Sequence, residues 1–79
     1  MTTQIAYMEI YADDPETDRW HIAMFGEHSP YKIVVKVDFY HEPGWYEPVQ
    51  VEYNRKQFRF ESIPEYLRNQ IENNFAKVP

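Results

Sequence analysis

Residues 31–41, YKIVVKVDFYH, alternate nearly without a break. Tyr31, Ile33, Val35, Val37 and Phe39 share one side, while Lys32, Lys36, Asp38 and Tyr40 share the other with Val34. A period of two belongs to a strand, and branched side chains suit a pleated surface. One side is wholly apolar and must be covered. The other mixes charge with Val34 and Tyr40, a surface seldom left bare. A chain built on this strand becomes a layered domain whose sheet is fully shielded on one side.

The same period recurs along the chain. In residues 4–12, QIAYMEIYA, Ala6, Met8 and Ile10 oppose Tyr7, Glu9 and Tyr11, and the charge on Glu9 turns the even positions inward. DDPETDR has no apolar residue and reads as a solvated loop. WHIAMFG reads as a second strand, with Trp20, Ile22 and Met24 against His21, Ala23 and Phe25. GEHSP is turn chemistry. VQVEYN repeats the alternation, with Val49, Val51 and Tyr53 inward, and a turn near Asn54 and Arg55 leads to QFRFE. Pro48 cannot donate to a ladder, so pairing is expected to start after it, or Pro48 lies on an unpaired edge. No connection has the length of a parallel crossover, which leaves sequential hairpins.

The period changes at SIPE, which has the form of a capping box with Ser62 as N-cap and Glu65 three residues on. Pro64 falls in the first turn, where its missing N–H is harmless. Ile63, Leu67, Ile71, Phe75 and Val78 then form one stripe, about 120° wide at helical spacing. The expectation is an α+β fold spanning residues 1–79 as a single domain: an antiparallel five-stranded β-meander with one C-terminal α-helix packed on one face.

Seventy-nine residues without cysteine lie near the lower size at which a chain folds unaided by disulfides or metal. Aromatic residues, 18% of the chain, supply large core side chains. MTTQIAYMEI lacks the basic and apolar regions of a signal peptide, and no apolar run nears the ~20 residues that cross a bilayer. The expectation is a cytoplasmic protein that makes no use of a membrane. The net charge of −5 is uneven: residues 1–30 carry Glu9, Asp13, Asp14, Glu16, Asp18 and Glu27 against Arg19 alone. Such a surface repels a phosphate backbone, which disfavours direct nucleic-acid binding.

DFYHEPGWYEPVQVEY, residues 38–53, is the densest stretch of functional groups. Pro43 and Gly44 satisfy the central positions of a type II turn. Trp45 and Tyr46 beside them either fold back over the core or stand displayed as binding anchors. A catalytic reading takes His41 as base with Glu42 or Glu47, yet adjacent strand residues point to opposite faces. Asp14, Glu16 and Asp18 alternate as oxygen donors, but Arg19 stands where a calcium loop needs glycine. His21, His28 and His41 show no metal-ligand spacing, and GxSxG, GxGxxG and GxxxxGK[ST] are missing. The reading calls for no metal, no cofactor and no catalytic residue.

One helix leaves the second sheet face open. On the strand assignments that face carries Ile5, Tyr7, Tyr11, Phe25, Val34 and Tyr40, with Lys36, Asp38 and Arg59 among them. Tyrosine with scattered charge is typical of protein interfaces. The expected function is therefore a small, non-enzymatic, acidic protein-binding module of regulatory or inhibitory kind. Tyr7, Tyr11, Tyr40, Trp45 and Tyr46 are its anchors, and Asp13, Asp14, Glu16 and Asp18 steer it to a basic protein such as a nucleic-acid-binding one. In general character — short, acidic, cysteine-free and motif-poor — the chain is similar to phage and mobile-element proteins that bind and block host machinery. The alternatives are a homo-oligomer subunit using the same face, homodimerisation by a free strand edge, and a small enzyme or ligand-binding domain at the His41/Glu42 turn.

Overall fold

The computed structural model describes residues 3–77. The elements in chain order are β1 (Gln4–Tyr11), α1 (Pro15–Phe25), β2 (Lys32–Glu42), β3 (Trp45–Tyr53), β4 (Lys56–Arg59), a 3-10 turn at Phe60–Ser62 and α2 (Glu65–Ala76). The strands form one antiparallel sheet in the order β1-β2-β3-β4. The α+β class, the antiparallel sheet and the C-terminal helix are as expected. The strand count is corrected: the sheet has four strands, not five, and residues expected as a second strand form α1.

The cause lies in the acidic stretch read as a loop. Asp14 is extended, and its carboxylate accepts the N–H groups of Glu16 and Thr17 at 3.2 and 3.3 Å. That is N-cap geometry, with Pro15 in the first turn where no N–H is needed. Glu16 and Asp18 place negative charge at the positive end of the helix dipole. Gly26 closes the helix with φ 75° and donates its N–H to the Ile22 carbonyl at 2.8 Å. Thr17 and His21, one turn apart, are buried, and Trp20 and Phe25 flank them. Ile22 and Met24, which made the segment look like a strand, are exposed.

Both helices lie on one face of the sheet. α1 sets Trp20, His21 and Phe25 against Tyr53 of β3 and Phe58 of β4, with ring centroids between 5.1 and 6.3 Å apart. α2 runs obliquely: Gln70 reaches Tyr11 on β1, while Phe75 rests on Phe39 of β2 and Tyr46 of β3. The core between the layers holds Ile10, Ile33, Val35, Val37, Phe39 and Val51 from the strands and Ile63, Leu67, Ile71 and Phe75 from the last segment. The expected stripe is thus buried as far as it is described; Val78 lies outside the described residues.

Two boundaries also differ from expectation. β3 begins at Trp45, and its register with β2 shifts between Asp38 and Phe39, so that Val49 is an extra residue in the ladder. This bulge sits beside Pro48, where β3 has no β4 partner to receive the missing N–H. Ser62 does not cap α2. Its hydroxyl donates to the Arg59 carbonyl at 2.8 Å, and the N–H of Glu65 is taken instead by the Glu16 carboxylate at 3.2 Å.

The hairpin turns divide the chirality problem unequally. Gly44 has φ 78°, suited to the second central position of a type II turn. Between β3 and β4, Asn54 and Arg55 both take positive φ, 52° and 67°, in a two-residue loop without glycine.

Candidate functional site

The helices leave the other sheet face bare. On it β1 presents Ile5, Tyr7, Glu9 and Tyr11, and β2 presents Lys32, Val34, Lys36, Asp38 and Tyr40. The register sets Tyr7 beside Lys36, Glu9 beside Val34, and Tyr11 beside Lys32. Tyr7 is 73% exposed, Val34 58%, Ile5 54% and Tyr11 41%. Towards β3 and β4 the face becomes polar, with Gln50, Glu52, Gln57 and Arg59. The aromatic and aliphatic part is therefore concentrated on one side, at the β1 edge.

Charge is interleaved with these rings. The Lys32 ammonium lies 5.2 Å from the Tyr11 ring centre and 3.5 Å from the Glu9 carboxylate. Tyr31 meets Tyr11 edge-on at 5.2 Å. Tyr40 is half-buried on the same face, opposite Glu47. Phe25, which the sequence placed here, belongs to α1 and packs on His21 at 4.8 Å and Tyr53 at 5.4 Å.

The two aromatics beside the Gly44 turn separate. Tyr46 turns to the helix side, where its ring stacks between His41 at 4.6 Å and Phe75 at 5.4 Å. Trp45 is exposed, on the rim of a groove of about 590 Å³ that also touches Phe60, Glu72 and Ala76. His41 pairs across the ladder with Tyr46 and Glu42 with Trp45, so the His41 ring and the Glu42 carboxylate leave opposite faces of the sheet. Glu47 pairs with Tyr40 and shares the open face, away from His41.

The four acids do not form one cluster. Asp14 caps α1 and Glu16 caps α2. Asp18 accepts the Ser29 N–H at 2.9 Å and faces His28 Nδ1 at 3.0 Å. The Ser29 amide, then His28, holds its carboxyl below the usual range. Asp13 accepts the Tyr66 hydroxyl at 2.9 Å, and this bond pushes the Tyr66 phenol up. Each acid thus has a local task, while Asp13 and Glu16 still stand exposed, Asp13 beside a surface groove shared with Tyr31.

His21 is the residue that sequence reasoning most undervalued. It is 2% exposed, with Nδ1 2.8 Å from the Glu27 carbonyl and Nε2 2.8 Å from the Tyr53 hydroxyl. A carbonyl only accepts, so Nδ1 carries the proton and Nε2 accepts from Tyr53 in the neutral ring. Burial, then Glu27, pushes the Tyr53 phenol above its usual value. The signal was available in the Asp14-Pro15 cap and the four-residue spacing from Thr17 to His21. Among the described residues no group of three or more His, Cys, Asp or Glu side chains suits a metal ion, and no helix is long and apolar enough to cross a membrane.

No family model matches the chain, and neither a curated protein nor a solved structure matches it.

Proposed function

We propose that this chain is a small, acidic, non-enzymatic protein-binding domain of regulatory or inhibitory kind, whose open sheet face receives a partner with a basic surface. The observation that carries the reading is the contiguous exposure of Ile5, Tyr7, Tyr11 and Val34 on a face that neither helix touches. Rigid strands present these side chains, so little ordering is needed on binding. Amphipathic tyrosines interleaved with charge match the composition of protein interfaces. The basic character of the partner is supported by the net charge of −5 and by exposed Asp13 on the groove that Tyr31 also lines. A basic nucleic-acid-binding protein fits that description.

Asp14, Glu16 and Asp18 hold backbone N–H groups, so replacing them would disturb α1, α2 and the loop before β2. Steering is better read from salt dependence. The test is affinity capture from the native host with the wild-type chain and with a Tyr7→Ser/Val34→Ser variant, both positions being exposed. A basic protein should be retained by the wild type, released as salt rises, and retained at least about tenfold less by the variant. Equal retention by both chains would remove the sheet face from the function.

A further inference from the structure

We propose that the free edge of β1 pairs with the β1 of a second copy of this chain, antiparallel about a two-fold axis at Tyr7, joining two four-stranded sheets into one of eight. The two edges of the sheet differ sharply. β4 is four residues long and carries Lys56 and Arg59, the kind of edge that resists pairing. β1 is eight residues long, has no proline, and bears a single charge, on Glu9.

The Gln70 side chain shows which backbone groups of β1 point outward. The Tyr11 N–H donates to Gln70 Oε1 at 2.7 Å, and Gln70 Nε2 donates to the Tyr11 carbonyl at 2.9 Å. A side-chain amide thus occupies Tyr11 as the peptide of an added strand would. Backbone direction alternates along a strand, so Ile5, Tyr7 and Glu9 also direct N–H and C=O away from β2. Among the described residues none of these three gains a side-chain partner as Tyr11 does.

The plug at Tyr11 selects the register. With the axis at Tyr7, Ile5 faces the partner's Glu9, Tyr7 faces the partner's Tyr7, and every free N–H and C=O is used. Tyr11 would then face Thr3, before the strand begins, so Gln70 lies outside the pairing. Sliding one way by a pair sets Ile5 against Tyr11, whose groups are already taken. Sliding the other way sets Ile5 against Tyr7 and leaves Glu9 opposite Thr3.

The helix side fits the same arrangement. Because α2 crosses from β1 towards β3, it leaves a groove of about 480 Å³ at the β1 edge, lined by Ala6, Met8, Phe39, Tyr46 and Phe75. In the Tyr7-centred register the partner's Met8 falls opposite Ala6, a long flexible side chain against a small one, at the mouth of this groove. On the open face the two Tyr7 rings become neighbours at the centre of a doubled surface.

Analytical ultracentrifugation from 1 to about 200 μM should show a monomer–dimer equilibrium. Tyr7→Pro should be monomeric with an unchanged circular-dichroism spectrum, since the lost N–H serves only the edge. Should that variant misfold, Ile5→Glu and Ile5→Lys decide: against the partner's Glu9, twice by symmetry, the first should weaken the dimer and the second tighten it, each by up to about tenfold. Under mild oxidation Tyr7→Cys should cross-link to itself. Ile5→Cys and Glu9→Cys should cross-link when mixed and not alone. A wild-type chain that stays monomeric throughout, a Tyr7→Pro chain that stays dimeric, or self-linking of Ile5→Cys in preference to Tyr7→Cys would overturn the proposal.

Discussion

Replacing Tyr53 by phenylalanine tests the buried contact that organises the α1 side of the molecule. The substitution keeps the ring, so its packing on Trp20 at 6.3 Å and Phe25 at 5.4 Å persists. It removes only the hydroxyl that His21 Nε2 accepts from at 2.8 Å. His21 is 2% exposed and its other nitrogen is committed to the Glu27 carbonyl, and the Tyr53 hydroxyl is the hydrogen-bond partner of Nε2. A buried acceptor left unpaired costs about 1–3 kcal/mol. Tyr53 is only half-buried, so the lower part of that range, about 1–2 kcal/mol, is expected. For a domain this small the melting temperature should fall by roughly 5–15 °C. Urea unfolding followed by tryptophan fluorescence reads the change as a lower midpoint at unchanged slope. A cycle with His21→Leu should return a coupling of at least about 0.5 kcal/mol. There is also a pH signature. Burial raises the Tyr53 pKa above 10.0, so the native state favours the protonated phenol. That contribution is complete below the unfolded value and is lost as pH rises through the raised native one, and the variant should show a shallower alkaline decline, keeping the part that the raised Tyr66 phenol supplies. A Tyr53→Phe midpoint indistinguishable from wild type, with the alkaline limb intact, would refute the reasoning.

Two further perturbations are expected to read out local geometry. Arg55→Gly relieves a non-glycine residue at φ 67° and should stabilise the domain by about 0.5–1 kcal/mol, the left-handed penalty less the added freedom of the unfolded chain; a loss of stability in chemical unfolding would show that the Arg55 side chain matters more than its backbone. Asp18 has a lowered pKa, held first by the Ser29 amide and then by His28, so its contribution is present above 3.8 and is lost as pH falls through the native value. The acid limb of stability in Asp18→Asn should therefore be flatter than in wild type, and parallel limbs in acid titrations of the two chains would contradict that assignment.

The strands legible in the sequence were those whose inward residues are apolar. β2 is one, with Ile33, Val35, Val37 and Phe39 buried in sequence order. The stripe of α2 was legible for the same reason at a different period. α1 was missed because its buried set includes Thr17 and His21, which count as polar, while the apolar Ile22 and Met24 face solvent. Hydrophobic alternation in WHIAMFG thus reports nothing about burial, whereas Asp14, Pro15 and Gly26 punctuate a helix correctly. The cap of α2 was unreadable on other grounds. Glu16 lies 49 positions before Glu65, and only the finished fold brings it there. For the candidate site, the rows Ile5–Tyr7–Tyr11 and Val34–Tyr40 followed from strand period alone, because period fixes the face. Phe25 went astray with the segment that carried it. The separation of Trp45 from Tyr46 depends on where β3 begins, which the bulge at Val49 sets.

Gln70 is joined to Tyr11 across 59 positions of sequence. During folding the β2–β3–β4 hairpins close through local contacts, whereas the amide that covers the end of the first strand's edge has to be brought in from the far end of the described chain. Until the last helix docks, the folding chain displays an uninterrupted row of unpaired peptide groups. Two chains that met in that interval would pair without the stop that limits their register.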